Sequence, residues 1–313
     1  MLPLANISPD PSDEYFADGL TEELIHALSR VSGLSVIART SAMRYKGADR
    51  SIAEIGRELD IQTALEGSVR KAEGQVRITV QLVDTGTEDH IWSQVYDRDL
   101  EDIFAIQSDI ARRVARALRV QIARRDKRAL DRRATRVVDA YTLYLKGRYH
   151  WNLRTEDGFR QAISFFEEAL EKDPTYARAY SGLADAYALL AWFEMMPPHD
   201  AFPRAREAAE EALRFDDHLA EAYASLGLVK FQYGWDWEGA EAAFHQALEL
   251  DPGYPTAHHF YADYLKAMGR FEEALSEMAR ARELDPFSLP VHTGLGHVLY
   301  LARQYDRAIA QYR

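Results

Sequence analysis

Histidine and acidic side chains could perform acid–base chemistry or bind a metal ion, and their spacing decides whether they do. The chain contains ten histidines. His258 and His259 are adjacent and point from different faces of a helix, while His292 and His297 are five positions apart, which fits one helical face poorly. Adjacent glutamates diverge by about 100° around a helix axis, so such pairs do not converge on one bond. These side chains predict neither a metal site nor a catalytic pair.

Sulfur chemistry and the common catalytic motifs are missing from the sequence. The chain has no cysteine, which excludes disulfide bonds, thiolate metal ligands and cysteine nucleophiles. It contains no phosphate-binding glycine loop, dinucleotide-binding fingerprint, nucleophile elbow or His-Glu-x-x-His motif. Its longest apolar run, 186–193, is far shorter than the roughly 20 residues that cross a bilayer. We therefore expect a non-enzymatic chain without a cofactor, a metal ion or a membrane span.

A segment with small residues at fixed positions recurs through the second half of the chain. In the five successive copies of the segment, the first alanine is Ala162, Ala205, Ala240, Ala274 and Ala308. The intervals between these alanines are 43, 35, 34 and 34, and a helical pattern rich in aromatic residues precedes the segments. Two helices per roughly 34 residues, with a proline after the second, are typical of the tetratricopeptide (TPR) repeat. Alanine leaves room for a neighbouring helix, and Phe166, Phe244 or Met278 is expected to fill the gap between repeats.

We predict that residues 139–313 form an all-α TPR superhelical solenoid. The repeats span about 139–174, 177–217, 220–252, 255–286 and 289–313. The longest alanine interval carries about nine extra residues, three of them prolines, and is predicted to form a loop between the two helices of the second repeat. The last repeat stops within its second helix, so we expect that the native sequence continues and that this chain is an excerpt.

The first helices of stacked TPR repeats form a concave surface, which is where such arrays bind other molecules. By repeat register this surface is predicted to include Ser181, Asp185, Leu228, Phe231, His259, Asp263, Lys266, Thr293, His297 and Tyr300. The Lys-Asn pairing that grips a terminal carboxylate in chaperone-binding TPR proteins is missing. The mixed aromatic and polar side chains favour a peptide or protein helix as the ligand. The alternative role of each position is packing against the neighbouring repeat.

Trp235, Asp236 and Trp237 precede the second helix of the third predicted repeat. We interpret these residues as a plug for the seam between repeats, with Asp236 capping the helix. The alternative is an exposed aromatic contact for a partner, because tryptophan is favoured in both settings.

The first half of the chain has the pattern of a small α/β domain. Apolar residues at helical spacing over 15–30 predict one helix, and a capping box of Ser51 and Glu54 predicts the start of another. Apolar and polar residues then alternate over 76–82 and 91–96, which predicts two strands joined by a turn.

Two further strands are predicted at 2–4 and 34–38, where short apolar segments flank the first helix. Glu73-Gly74 and residues 85–89 fit hairpin turns, so another strand is expected before Glu73. The resulting order is βαβα, then a three-strand meander, then a long helix from about Asp102. This order predicts a mixed sheet.

Four sequence motifs in this half carry a family resemblance. They are ANISPD, FADGLTEEL, ALEGSV and IWSQVYDRDLEDIFAIQ, in that order. Residues 1–125 resemble the TolB amino-terminal-like domain, also described as FlgO-like. The resemblance implies a segment of a bacterial signalling or envelope-associated sensor, commonly followed by TPR repeats and preceded by a nucleotide cyclase, a protein kinase or a winged-helix domain.

A basic stretch follows the α/β pattern. Residues 112–136 contain 11 arginine or lysine residues against two aspartates, in a chain of overall charge −12. Charge runs are usually solvated, so we interpret this one as part of a linker between the domains. The alternative is contact with the phosphates of nucleic acid or anionic lipid, although no aromatic residues are interleaved and no DNA-binding motif is present.

These patterns predict a TolB-like α/β domain over 1–125, a basic helical linker over 126–138 and TPR repeats over 139–313. We expect a non-catalytic scaffold or sensor module of a bacterial signalling protein, with a protein or peptide partner in preference to nucleic acid. The alternative is the regulatory part of a larger cyclase, kinase or winged-helix regulator whose effector domain lies upstream. A complete chain would be cytoplasmic, whereas an upstream membrane segment would allow a periplasmic location. The partner's identity and the oligomeric state stay open.

Overall fold

The computed structural model describes residues 1–123, 126–127, 130 and 134–313. The chain divides into two compact units, Met1–Val138 and Asp139–Arg313. The predicted linker over 126–138 and the basic stretch over 112–136 include residues 124, 125, 128, 129 and 131–133, which lie outside the described residues.

The first unit combines four strands with four α-helices in its described residues. They are β1 (Ala5–Asn6), α1 (Glu14–Ser29), α2 (Arg39–Met43), α3 (Ile52–Leu59), β2 (Thr63–Ala72), β3 (Gln75–Asp84), β4 (His90–Asp99) and α4 (Ile103–Ala117). The sheet order is β1-β2-β3-β4, with β1 parallel to β2 and the other pairs antiparallel. The sheet is therefore mixed, as the sequence predicts.

Alternation along β3 decides which face of the sheet is buried. Val76, Ile78, Val80 and Leu82 are at most 2% exposed, and the residues between them point to the opposite face. Helix α4 packs against α1 and β4 with a buried apolar stripe. The core of this unit thus lies between one face of the sheet and these helices.

Local sequence signals set several boundaries in this unit. Ser51 and Glu54 form the predicted capping box at the start of α3. Glu73 and Gly74 form the two-residue turn between β2 and β3, and both have a positive φ, 52° and 77°. The strand predicted at 34–38 is wrong, because this extended segment has no ladder partner and leads directly into α2.

The second unit consists of ten helices arranged as five consecutive pairs, and all of residues 139–313 are described. They are α5 (Val138–Trp151), α6 (Glu156–Lys172), α7 (Ala177–Trp192), α8 (Pro198–Phe215), α9 (Ala220–Val229), α10 (Trp237–Leu250), α11 (Pro255–Ala267), α12 (Phe271–Leu284), α13 (Leu289–Leu301) and α14 (Tyr305–Tyr312). Each odd-numbered helix from α5 onward is the first helix of its pair. The predicted fold class, a small mixed-sheet α/β domain followed by an all-α solenoid, is confirmed.

Large side chains of the second helices fill holes left by glycine in the first helices. A Cβ on Gly147 would overlap the Phe166 ring, and one on Gly182 would lie 2.6 Å from the same ring. Phe166 therefore occupies a socket between the first helix of its own pair and the first helix of the next. Gly227 meets Phe244 in the same way, at 2.7 Å. This close packing explains why small and large residues recur at fixed positions.

The prolines of the second pair do not all lie in a loop, so that prediction is wrong. Helix α8 begins at Pro198 and contains Pro203. Proline is well suited to the first helical position, where its missing N–H would have no partner. Pro203 lies in the second turn and forfeits the hydrogen bond to the carbonyl of His199.

A π-helical turn over Lys230–Gly234 continues α9. The alanine interval that spans this turn, Ala205 to Ala240, is one residue longer than the two that follow, and a π turn accommodates one extra residue. Asp236 then caps α10 by accepting a hydrogen bond from the Gly239 N–H at 3.0 Å, as predicted. Trp235 is 73% exposed, so its predicted role as a plug is wrong.

Candidate functional site

Side chains of successive first helices meet along one surface of the helical unit. Arg148 of α5 lies 3.3 Å from Asp185 of α7, and Asp185 accepts a hydrogen bond from Ser225 of α9. The rings of Trp192 in α7 and Phe260 in α11 are 6.2 Å apart, although α9 lies between these helices in the stack. The stack therefore curves toward this side. We call the face formed by α5, α7, α9, α11 and α13 the concave surface.

A buried carboxylate lies near the amino-terminal end of the concave surface. Asp185 is 7% exposed. Burial raises the pKa of Asp185 to about 6, and Arg148 and the Ser225 hydroxyl oppose this rise. The Asp185 carboxyl is thus charged at neutral pH and becomes protonated in mildly acidic solution.

Trp151, at the end of α5, brings two guanidinium groups to the same region. The Arg148 and Arg154 guanidinium carbons lie 4.1 and 3.7 Å from the centre of the Trp151 ring. The Trp151 indole N–H and the Ser181 hydroxyl are buried and have no hydrogen-bond partner within the described part of the chain. Both groups can donate a hydrogen bond, so this region can satisfy acceptor atoms of a ligand or of water.

A second polar cluster lies on α11 and α13. His259 is 3.4 Å from Asp263, and Asp263 also pairs with Lys266. Lys266 in turn lies 3.4 Å from Nδ1 of His297. Burial lowers the pKa of His259 and, together with the Lys266 charge, the pKa of His297. Both imidazoles are therefore neutral at pH 7 and can accept as well as donate hydrogen bonds.

The predicted surface residues differ strongly in their accessibility. Five are buried, namely Ser181, Asp185, Leu228, Phe231 and Asp263. His259 and Lys266 are partly buried, and Thr293, His297 and Tyr300 are exposed. The positions open to a ligand are therefore concentrated on α11 and α13.

Sequence reasoning missed the residues that α5 contributes. Arg148 directly follows Gly147, just as Leu228 follows Gly227 and His297 follows Gly296. The position directly after a glycine that faces a large ring is therefore the sequence signal that would have indicated Arg148. The longer connection between α5 and α6 obscured it, because counting back from the alanine of α6 shifts the register of α5.

Two histidines, 34 residues apart, form hydrogen bonds between consecutive repeats. His258 Nε2 is 3.0 Å from the Pro252 carbonyl oxygen, and His292 Nε2 is 2.7 Å from the Pro286 carbonyl oxygen. The second ring nitrogen of His258 contacts Glu277 at 2.6 Å. Each imidazole thereby ties the start of a first helix to the loop that precedes it.

Comparison with known proteins identifies the repeat type. Residues 236–293 match the family model described as "Tetratricopeptide repeat". The helical unit has the TPR fold. A thermophilic TPR protein of Thermus thermophilus aligns with 64% of this chain and 95% of its own, at 24% identity and a TM-score of 0.44.

Two curated relatives match longer stretches of sequence. "Putative adenylate cyclase 3" of Rhizobium meliloti (strain 1021) is 37% identical over 232 residues, which are 73% of this chain and 39% of that protein. "Transcriptional regulator HilA" of Salmonella typhimurium is 26% identical over 149 residues, 48% of this chain and 27% of that protein. The chain thus spans less than two fifths of the length of either relative. In its described residues, no helix is both long and apolar enough to cross a membrane.

Proposed function

We propose that this TPR-containing chain is a non-catalytic protein-interaction scaffold that binds a peptide or protein helix along the concave surface. The proposal is carried by the polar cluster of α11 and α13, where Lys266 lies 3.4 Å from His297, together with the exposure of Thr293, His297 and Tyr300 on α13. Tyr300 is 55% exposed and offers a large aromatic anchor. The neutral His259 and His297, and Lys266 with its partner Asp263, can hydrogen-bond to a peptide backbone.

The charges of the concave surface favour a protein partner over nucleic acid. Arg148 is paired with Asp185, and Lys266 is paired with Asp263. A surface that binds phosphate backbones needs several cations whose charge is not already balanced. Acidic partners of the cations make this surface a poor match for such a ligand.

Peptides selected from a random library on the full chain would test this proposal. We expect the selected peptides to lose roughly tenfold or more in affinity when Tyr300 is replaced by alanine, because a buried aromatic anchor commonly contributes about 2 kcal/mol or more. Val95→Ala is the matched control, since Val95 is similarly exposed but lies on the sheet of the other unit. Equal affinities for the wild type, Tyr300→Ala and Val95→Ala would contradict binding at this surface.

The α/β unit is proposed to be a TolB-like sensor domain over 1–125, joined by a basic linker over 126–138 to the repeats over 139–313. The proposal rests on the four sequence motifs and on the mixed sheet. In this arrangement the sheet unit supplies a second contact surface in a bacterial signalling protein.

A second candidate function is the regulatory part of a larger protein. It is favoured by the names of the two relatives, "Putative adenylate cyclase 3" and "Transcriptional regulator HilA", and by the small share of each that the chain covers. Reading the genomic frame on both sides of this sequence and assaying the complete product for cyclic-nucleotide formation, protein phosphorylation or DNA binding would test it. A frame without an effector domain would rule this candidate out.

A further inference from the structure

The backbone of Trp235 has a conformation that disfavours a bulky side chain. Its φ of 54° and ψ of 23° place it in the left-handed region. The same turn one repeat later holds Gly269, with φ 76°. Glycine adopts this conformation without steric cost, so the turn itself does not explain a tryptophan. Arg303 adopts the same conformation in the last turn, with φ 60°, so Trp235 is distinguished by the size and exposure of its side chain.

The π-helical turn over Lys230–Gly234 is a second unusual feature at the same place. It ends α9 with i to i−5 hydrogen bonding immediately before Trp235, and π-helical geometry is rare in proteins. Tyr233 lies within this turn and is 41% exposed. The extra residue therefore coincides with two exposed aromatic side chains, Tyr233 and Trp235.

Neighbouring rings hold these aromatic side chains in place. The ring of Trp235 meets Trp237 edge to face, with centroids 5.6 Å apart and an interplanar angle of 75°. Trp237 packs against the buried Phe231 at 6.0 Å. Tyr233 stacks on Phe202, also at 5.6 Å. The exposed rings are thus supported from beneath while Trp235 itself stays 73% exposed.

The segment that carries Tyr233 and Trp235 has a net negative charge. Between residues 230 and 241 the charged side chains are Lys230, Asp236, Glu238 and Glu241. Lys230 lies 3.5 Å from Asp236 and is balanced by it. Glu241 is engaged by Arg270, whereas Glu238 is exposed. Because Lys230 and Asp236 balance each other, the segment that carries Trp235 leaves an exposed acidic charge at Glu238, three residues further on.

We propose that Tyr233, Trp235 and Glu238 form a docking surface for a positively charged side chain, arginine or lysine, of a partner protein. Tryptophan is the side chain that attracts cations most strongly through its ring face, and an adjacent carboxylate adds an ion pair. This aromatic surface lies at the turn between α9 and α10 and includes none of the ten positions predicted for the concave surface. Its function is therefore independent of peptide binding there.

Capped tetra-arginine, tetra-lysine and tetra-glutamate peptides are suitable probes. The chain has five tryptophans. In the full-length protein with isotope-labelled tryptophan, the indole N–H signal of Trp235 is the one missing from Trp235→Gly. We expect this signal to shift saturably with tetra-arginine or tetra-lysine and not with tetra-glutamate. Comparison of the first two peptides tells which cation the surface prefers.

Variants distinguish binding at this site from non-specific attraction of a cationic peptide to an acidic protein. Trp235→Gly and Trp235→Asn both suit a left-handed backbone and should weaken tetra-arginine binding roughly fivefold, whereas Trp235→Phe should retain most of it. Arg303→Gly is the matched control, because it makes the same exchange at the left-handed position of the last turn, φ 60°, and should cause no loss. Equal tetra-arginine affinity of the wild type and Trp235→Gly, or a Trp235 signal that does not move, would overturn the proposal.

Discussion

The Arg148 guanidinium of α5 lies 3.3 Å from the Asp185 carboxylate of α7, so one ion pair joins the first two helix pairs on the concave surface. Both side chains are largely buried, at 15% and 8% exposure. The pair also receives a hydrogen bond from Ser225 of the third repeat. This contact links three repeats through one carboxylate, and its protonation is expected to alter the stability of the stack.

The pH dependence of unfolding should change when Asp185 is replaced by asparagine. Burial raises the pKa of Asp185 to about 6 from an ordinary value of 3.8. Between these values the folded state holds the proton more tightly than the unfolded state, so the free energy of unfolding falls as pH rises from about 4 to about 6. Asparagine does not titrate in this range, so the variant lacks this part of the pH dependence.

Relative to the wild type, Asp185→Asn should therefore gain about 2 kcal/mol between about pH 4 and about pH 7. Urea unfolding across this range measures the difference. A constant offset between the two proteins at all pH values would show that Asp185 does not titrate in this way.

The glycine sockets should not tolerate a methyl group. In Gly227→Ala the new Cβ would lie 2.7 Å from the Phe244 ring, so we expect a loss of about 1–3 kcal/mol in unfolding free energy despite the better helix propensity of alanine. Gly234→Ala is the control, because its nearest neighbour would be 3.8 Å away. Thermal unfolding that is equally affected by both substitutions would contradict the socket.

The seam histidine His258 should contribute measurably to stability. His258→Ala removes hydrogen bonds to the Pro252 carbonyl and to Glu277, and we expect a loss of about 1–3 kcal/mol. His199→Ala, at a side chain that is 74% exposed, should change stability by less than about 0.5 kcal/mol. Chemical unfolding of both variants measures this contrast, and a mild effect at His258 would mean that water replaces its partners.

Thr21 should anchor the amino-terminal segment to α1 in the first unit. Its hydroxyl accepts a hydrogen bond from the Leu4 N–H at 3.0 Å and donates one to the Ala17 carbonyl. Thr21→Val keeps the shape but leaves the Leu4 N–H without its buried partner, which should cost about 1–3 kcal/mol. Thr79→Val, on the open face of β3, should be nearly neutral. Equal unfolding midpoints for the two variants would argue against the anchor.

The repeat architecture could be predicted from the sequence because its packing is local and periodic. Each second helix needs a small residue where the adjacent helix approaches and a large one where a socket opens, as Ala162 and Phe166 illustrate. These requirements recur once in every repeat and so leave a regular pattern in the chain. The antiparallel strands were predicted for a similar reason, since burial of one face imposes an alternation with a period of two.

Other features depended on contacts that no local pattern records. Helix α8 begins at Pro198 and contains Pro203, so it extends into the inserted residues that the prolines had indicated to be a loop. The predicted ligand-facing residues Leu228 and Phe231 are buried, and Phe231 packs against Trp237 of α10 and Tyr264 of α11.

Amino-acid spacing alone thus determined the number of helix pairs and the register of their second helices, since each seam repeats the same steric requirement at a nearly fixed interval. Tertiary structure alone decided which side chains stay accessible. Asp185 is buried among side chains of α5 and α9, the helices on either side of its own. Trp235 is exposed, with the ring of Trp237 packed against it. Those contacts join residues from different helices at distances that vary from repeat to repeat, so no sequence period encodes them.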